Sequence, residues 1–371
     1  MVFRLKKGDL IDILAPGSFV DKEENFHEKM RPFGGSVNAN TRFESTVYET
    51  HVPEIYLEQA IQLEADRFLN MKVTTELLTI EKEAVRSEYS TKFDSSPIID
   101  LWFKVYNAAF PGHPFEWMIV GYKADLDAIT AEDCNRFYER LYIPNNVGVV
   151  IAGNIDVDQT FEWVGNAYKD WVPGTPSELP ALTRLDNGYI YSNGRLPSRS
   201  KMMLGGYRIP YINQDNVVQL ELLNHILFDS SHNLAKLRIL DKAKMVSAID
   251  GFNFHYDAGM MKFLANIFPE YSVDDIRGQL KLLRQDFINL PDQTYNAYLR
   301  EYQIDTAENI LANQDLAMAI IYSWGKYGDV AFLGSLVRNE ITVPKEALID
   351  MFDLVIQDKN LVVVESPADT K

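Results

Sequence analysis

The chain has 371 residues, too many for one comfortable hydrophobic core, so two domains are expected. Its composition, 46% apolar and 24% charged, is that of an ordinary globular protein, and a net charge of −17 argues against nucleic acid and anionic membrane as partners, because their phosphates would be repelled. No stretch is apolar enough to span a bilayer. The single Cys134 excludes an internal disulfide framework and a thiolate zinc cage, and it fits cytoplasm or periplasm equally, so the compartment stays open.

The N-terminal "MVFRLKKGDLIDIL" has no apolar core of a secretory signal. "GGSVNANTRFESTVYETHV" (34–52) is a Gly-Gly turn followed by β-prone alternation, hence a strand or hairpin. "PEIYLEQAIQLEADRFLN" (53–70) places Leu57, Ile61, Ala65 and Phe68 on one helical face. A second helix is expected over 74–93, with a Thr as its N-cap. Inside it lies "EKEAVRSE", whose Glu81 and Glu88 are seven residues apart and fall within roughly 20° of the same face. His113 in "PGHPF" reads as a loop-packing residue in a rigid turn. A helix over 131–141 leads through Pro144 into "NVGVVIAGNI" (146–155), which has the pattern of a buried strand.

The linker candidate is "VPGTPSELPAL" (172–182), with three prolines and a glycine. Beyond it strands are expected at 200–209 and within 244–268, and helices near 215–228, 272–290, 294–325 and 344–357. The last strand is "NLVVVES" (360–366). The segments 128–156 and 340–369 share one plan: Ile-Thr, an acidic helix start, an amphipathic helix, an Asn and an apolar strand. Duplication is the economical reading. It gives an N-terminal domain over 1–171, a linker over 172–188 and a homologous C-terminal domain over 189–371. The first copy is short at its N-terminal end and carries an added loop near 10–30.

"GGSVNANTRFESTVYETHVP" resembles the G-G-x-x-N-A-x-T segment of the insulinase/pitrilysin-type zinc metallopeptidases, whose inverted H-x-x-E-H motif supplies two His ligands and a catalytic Glu. The likeness continues through 57–68, "EKEAVRSE", 110–156 and 206–239, so it covers essentially the whole chain. It implies an α+β fold of two homologous domains, each a mixed or mostly antiparallel sheet covered by helices, the halves of a clamshell that encloses extended peptides.

By the same resemblance Glu88 matches the distal zinc ligand, and Glu81 matches the carboxylate that supports the site from behind. Zinc held by two imidazoles and a carboxylate keeps a position open for water and lowers that water's pKa. Asn38, Ala39, Asn40 and Thr41 match a strand edge that pairs with substrate backbone, and Arg238 matches a substrate-binding Arg.

Two departures accompany these matches. None of the six histidines (His27, His51, His113, His225, His232 and His255) forms H-x-x-E-H or H-E-x-x-H. The family follows its motif almost directly with Met-x-Phe, and this chain begins "MVF". The expectation is therefore a zinc peptidase whose H-x-x-E-H helix lies in the frame upstream. One carboxylate alone gives too few ligands to hold zinc with full affinity, and this chain by itself is expected to be inactive. The loss of a leading strand would expose an edge, so a homo- or heterodimer with a family member is expected to cover it. The second departure is Met245, which stands where many relatives place a Tyr seven residues after the Arg. It favours the alternative, a non-catalytic subunit that holds substrate or scaffolds an active partner.

Overall fold

The computed structural model describes residues 26–175, 188–210, 212–213, 215–252, 259–311, 313–327, 334–335, 338 and 342–367. The added loop expected near 10–30 falls largely outside them, as do residues 176–187 of the proposed linker. In chain order the elements begin with α1 (Phe26–Met30), β1 (Ser36–Thr41), β2 (Thr46–His51), α2 (Leu57–Asn70) and α3 (Thr75–Glu88). Next come α4 (Pro97–Ala109), α5 (Lys123–Ala128), α6 (Ala131–Leu141) and α7 (Val157–Ala167). Then follow β3 (Ile190–Asn193), β4 (Lys201–Arg208), α8 (Val217–Asn224), β5 (Val246–Gly251) and β6 (Met260–Ile267). The chain continues through α9 (Val273–Leu280), α10 (Leu283–Ile288), α11 (Asp292–Leu311), α12 (Asn313–Tyr327), α13 (Lys345–Val355) and β7 (Leu361–Glu365).

These elements form two compact units, neither of them a continuous stretch of chain. The first gathers α1–α3, β1, β2, α5–α7 and α12. Its strands form an antiparallel hairpin in the register Ser36↔His51 to Thr41↔Thr46. Val47, Phe68, Leu141, Tyr142 and Ile321 pack together over one face of that hairpin. Gly34 closes the turn before β1 at φ 66°, a left-handed conformation that favours glycine. Helix α6 starts on a reciprocal cap: Thr130 Oγ1 accepts from the Asp133 amide at 3.2 Å, and the Asp133 carboxylate accepts from the Thr130 amide at 3.0 Å.

The second unit gathers α4, a five-stranded sheet, α8–α11 and α13. The sheet order is β3-β7-β4-β6-β5, with β3 and β7 parallel and every other pairing antiparallel, so the sheet is mixed. A Cβ at Gly205 of β4 would meet the Phe263 ring at 2.3 Å. The missing side chain there is what lets Phe263 stack on Phe228, with ring centroids 4.8 Å apart. Helix α4 buries Leu101, Val105, Tyr106 and Ala109 against this sheet. The fully buried Lys262 places its ammonium 3.6 Å over the Trp102 ring and donates to Tyr106 Oη at 2.8 Å, so its charge is not stranded. Buried Asp100 accepts from Arg195 Nε at 2.7 Å and from the Leu196 amide at 3.2 Å, tying the start of α4 to the chain before β4.

Most expected elements form, and the α+β class with a mixed, helix-covered sheet is observed. The expected strand at 146–155 differs. Residues 147–151 carry no ladder pairing among the described residues, and Val149 is 39% exposed. An apolar run becomes a strand only where a neighbour supplies hydrogen bonds. No helix among the described residues is long and apolar enough to cross a membrane.

Candidate active site

Helix α3 begins where Thr74 Oγ1 accepts from the Leu77 amide at 3.3 Å. Leu78 is buried with Val73, Leu126 and Ile129, and Val85 packs against the same cluster. This apolar stripe sets the rotation of the helix. Lys82 fixes it further, with Nζ donating to the carbonyls of Asp127 (3.1 Å) and Ile129 (2.6 Å) at the C-terminal end of α5. Arg86 pairs with Asp127 at 2.5 Å, a hydrogen bond that raises its pKa and keeps it charged. Glu81 is thereby held half-buried and Glu88 exposed, on the stripe that the sequence spacing implies.

Seven residues at about 1.5 Å each separate their Cα atoms by about 10 Å along the axis. Glu88 is also the last α-helical residue, because Tyr89–Phe93 continue as a π-helical turn, a widening that recurs at functional sites.

In the same unit β1 pairs with β2 and has no second ladder among the described residues. Asn38 and Asn40 are exposed on one face, while Ala39 and Thr41 are half-buried on the other. Beneath the hairpin a cavity of about 420 Å³ is lined by Tyr48, Glu64, Phe68, Tyr168, Met318 and the run at 149–153. Burial pushes the Tyr168 hydroxyl well above the ordinary tyrosine range, so it stays protonated.

Arg238, in the second unit, sits in a π-helical segment (Lys236–Lys242). Its guanidinium grips both carboxylate oxygens of Asp286, and those hydrogen bonds raise its pKa. The structure thus gives Arg238 an intramolecular partner in addition to the substrate role that the resemblance implies. Met245 follows it in an irregular segment, with its carbonyl accepting from the Phe268 amide at 3.0 Å. His113 behaves as a turn residue: Nδ1 accepts from the Phe115 amide at 3.2 Å and the ring packs on Phe115 at 4.4 Å.

Sequence reasoning missed one cluster. His225, Glu301 and Asp305 bring one donor atom each to within 4.8 Å of one another in the second unit. Its signals were a Glu and an Asp four residues apart on one helix, and a histidine on an apolar helix that no motif claimed.

Comparison with known proteins places these features in one lineage. A family model described as Insulinase (Peptidase family M16) matches residues 17–115, and one described as Peptidase M16 inactive domain matches residues 128–297. The chain belongs to the insulinase family. A zinc protease of Helicobacter pylori, PqqE, is 21% identical over 358 residues, covering 94% of this chain and 78% of that protein. The crystal structure of a protease from Helicobacter pylori superposes with a TM-score of 0.82 at 18% identity, covering 99% of this chain and 93% of the other. A structure of complex III2 from Candida albicans includes a chain with a TM-score of 0.76 at 15% identity, over 90% of this chain and 82% of that one. At these identities the superpositions establish the fold.

The insulinase family implies a zinc ion, and the residues around Glu88 decide whether this chain can hold one. Among the described residues no second and third ligand gather around Glu88, and the one group of three that forms lies in the other unit. A zinc site needs at least three protein ligands. The described residues therefore do not fit zinc at Glu88, and no catalytic step follows from Glu88 alone.

Proposed function

We propose that this insulinase-family chain holds extended peptides along the outer edge of β1, and that Glu88 contributes one carboxylate to a zinc-peptidase site, with Glu81 supporting it. The observation that carries this reading is the edge of β1, which has no strand partner among the described residues. An extended peptide added there gains main-chain hydrogen bonds regardless of its sequence, and the small Ala39 leaves room beside it. Hydrolysis of the held peptide needs a zinc-activated water and a general base, for which the family motif is H-x-x-E-H. That motif does not occur in these 371 residues, so activity is proposed only for an assembly or chain that supplies it.

A second reading has its own support. A non-catalytic subunit paired with a complete family member accounts for Met245 at the tyrosine position and for an Arg238 already bound by Asp286. The complex III2 likeness shows the fold in an assembled state in that protein.

The test is fluorescence anisotropy with an unstructured peptide, a scrambled version and a version N-methylated at alternate residues. Binding is expected to survive scrambling and to fall at least about tenfold on N-methylation, because methylation removes the donors that a strand edge requires. Equal binding of the N-methylated peptide would overturn the proposal. Cleavage of the bound peptide by the chain alone would overturn the second reading.

A further inference from the structure

We propose that His225, Glu301 and Asp305 form a binding site for a first-row divalent transition metal of the zinc class. The site lies in the second unit and is independent of the β1 edge and of Glu88.

His225 is 4% exposed and opens a π-helical turn (His225–Asp229) that continues directly from α8. Its Nε2 is buried and has no hydrogen-bond partner. A buried ring nitrogen left in this state costs stability, so its presence calls for an explanation. The atom points at Glu301 Oε2, 3.7 Å away. That is too long for a hydrogen bond and suits two donors sharing one ion at about 2.0–2.2 Å from each. Asp305 stands one turn further along α11, on the face of Glu301, and completes the group of three.

The surroundings hold the donors in place. Ser230 Oγ donates to the Glu301 carboxylate, 3.1 and 3.2 Å from its two oxygens, and so orients it. Helix α11 is clamped on either side of Glu301. Tyr298 Oη donates to the His232 carbonyl at 2.6 Å, and Tyr302 Oη donates to Glu221 Oε2 at 2.5 Å. Both tyrosine rings also pack against the imidazole, at 6.4 and 6.1 Å between centroids. The imidazole therefore forms a fixed floor, while Glu301 is partly exposed and Asp305 is exposed at the mouth. An ion can enter from solvent and keep water in its remaining positions.

The donor set selects the metal. One imidazole with two carboxylates suits zinc, manganese, iron(II) or cobalt(II); all-oxygen cages suit calcium and magnesium, and thiolates suit copper(I). The motif that places zinc in the insulinase family plays no part, since these three residues come from α8's continuation and α11.

The experiment is a zinc titration of the chelator-stripped chain against a chromophoric competitor, repeated with cobalt(II) and its visible bands as the readout. It uses the Glu88→Gln background, so that an ion held through Glu88 is not counted. One equivalent is expected, with the cobalt spectrum of nitrogen and oxygen ligation. Glu301→Gln and Asp305→Asn should each weaken zinc by more than about tenfold and remove the cobalt bands. Both positions reach solvent, and an unchanged circular-dichroism melt of the metal-free variants would show that they still fold. Unchanged zinc affinity in both variants, or no equivalent bound at micromolar free zinc, would overturn the site.

Discussion

The segment from α6 to residue 151 and the segment from α13 through β7 begin identically and end differently. In the first, Tyr142 N donates to Tyr138 O at 2.8 Å, and a 3-10 turn (Pro144–Asn146) closes with Asn146 N on Ile143 O at 2.9 Å. In the second, Ile356 N donates to Phe352 O at 2.8 Å, and the turn Asp358–Asn360 closes with Asn360 N on Gln357 O at 2.9 Å. Each asparagine side chain reaches back to the end of its helix, Asn146 Nδ2 to Leu141 O at 2.9 Å and Asn360 Nδ2 to Val355 O at 2.8 Å. Then the segments part. β7 lies between β3 and β4 with Val362, Val363 and Val364 fully buried, whereas residues 147–151 have no ladder partner among the described residues. Helix, turn and asparagine clamp are local properties and form wherever the sequence repeats. A strand depends on its neighbours.

The largest contrast is expected at the valines that occupy matching places after the two asparagines. Val363→Ala should cost about 3 kcal/mol, from lost burial plus a cavity in a packed sheet. Val149→Ala should cost less than about 0.5 kcal/mol, as at an ordinary surface position. Urea unfolding with amide exchange as the readout distinguishes them. Equal costs would mean that the 147–151 run is paired in solution and would erase the contrast.

The asparagine clamps should differ less. Asn360 is 1% exposed and donates to both Leu354 O (3.0 Å) and Val355 O (2.8 Å), so Asn360→Ala should cost about 2 kcal/mol. Asn146 is half-buried and donates once, so Asn146→Ala should cost about 1 kcal/mol. The same unfolding experiment reads both. A larger cost at Asn146 would show that the turn in the first unit depends on more than its helix end.

This division between local and long-range information decides what the sequence could show. The bounds of α6, the hairpin at 36–51 and the β7 strand all follow from caps, turns and alternation within a few residues. The shared stripe of Glu81 and Glu88 follows from helical spacing. Every described residue of the expected helix over 294–325 is helical, yet α11 falls in the second unit but for its last residue and α12 in the first. Helix α4 likewise belongs to the second unit, although its neighbours in sequence, α3 and α5, belong to the first. An amphipathic stripe says that a face will be buried but not against what. The His225 group is illegible for the same reason: its donors meet only because α8's continuation packs on α11, and each residue alone reads as core or surface.

The smallest expected effect is one of pH, and it sharpens the comparison at the turns themselves. Asp358 opens the turn before β7, where the first unit has Pro144. Burial pushes the Asp358 carboxyl up, but hydrogen bonds from Arg277 and Lys281, each at 2.7 Å, outweigh this and hold it below the ordinary aspartate range. Its pKa is thus lower folded than unfolded, so the ionised form stabilises the turn at any pH above the unfolded value of about 4. That contribution is lost as pH falls through the folded value. Amide exchange at Asn360 and Leu361 should therefore quicken below about pH 4 relative to the intrinsic rate, and Asp358→Asn should remove most of the pH dependence. The amides of Asn146 and Val147 follow a proline that cannot titrate, and they should show no matching change. If both turns respond alike to acid, the cause is global unfolding, and Asp358 contributes nothing particular to the turn that feeds β7.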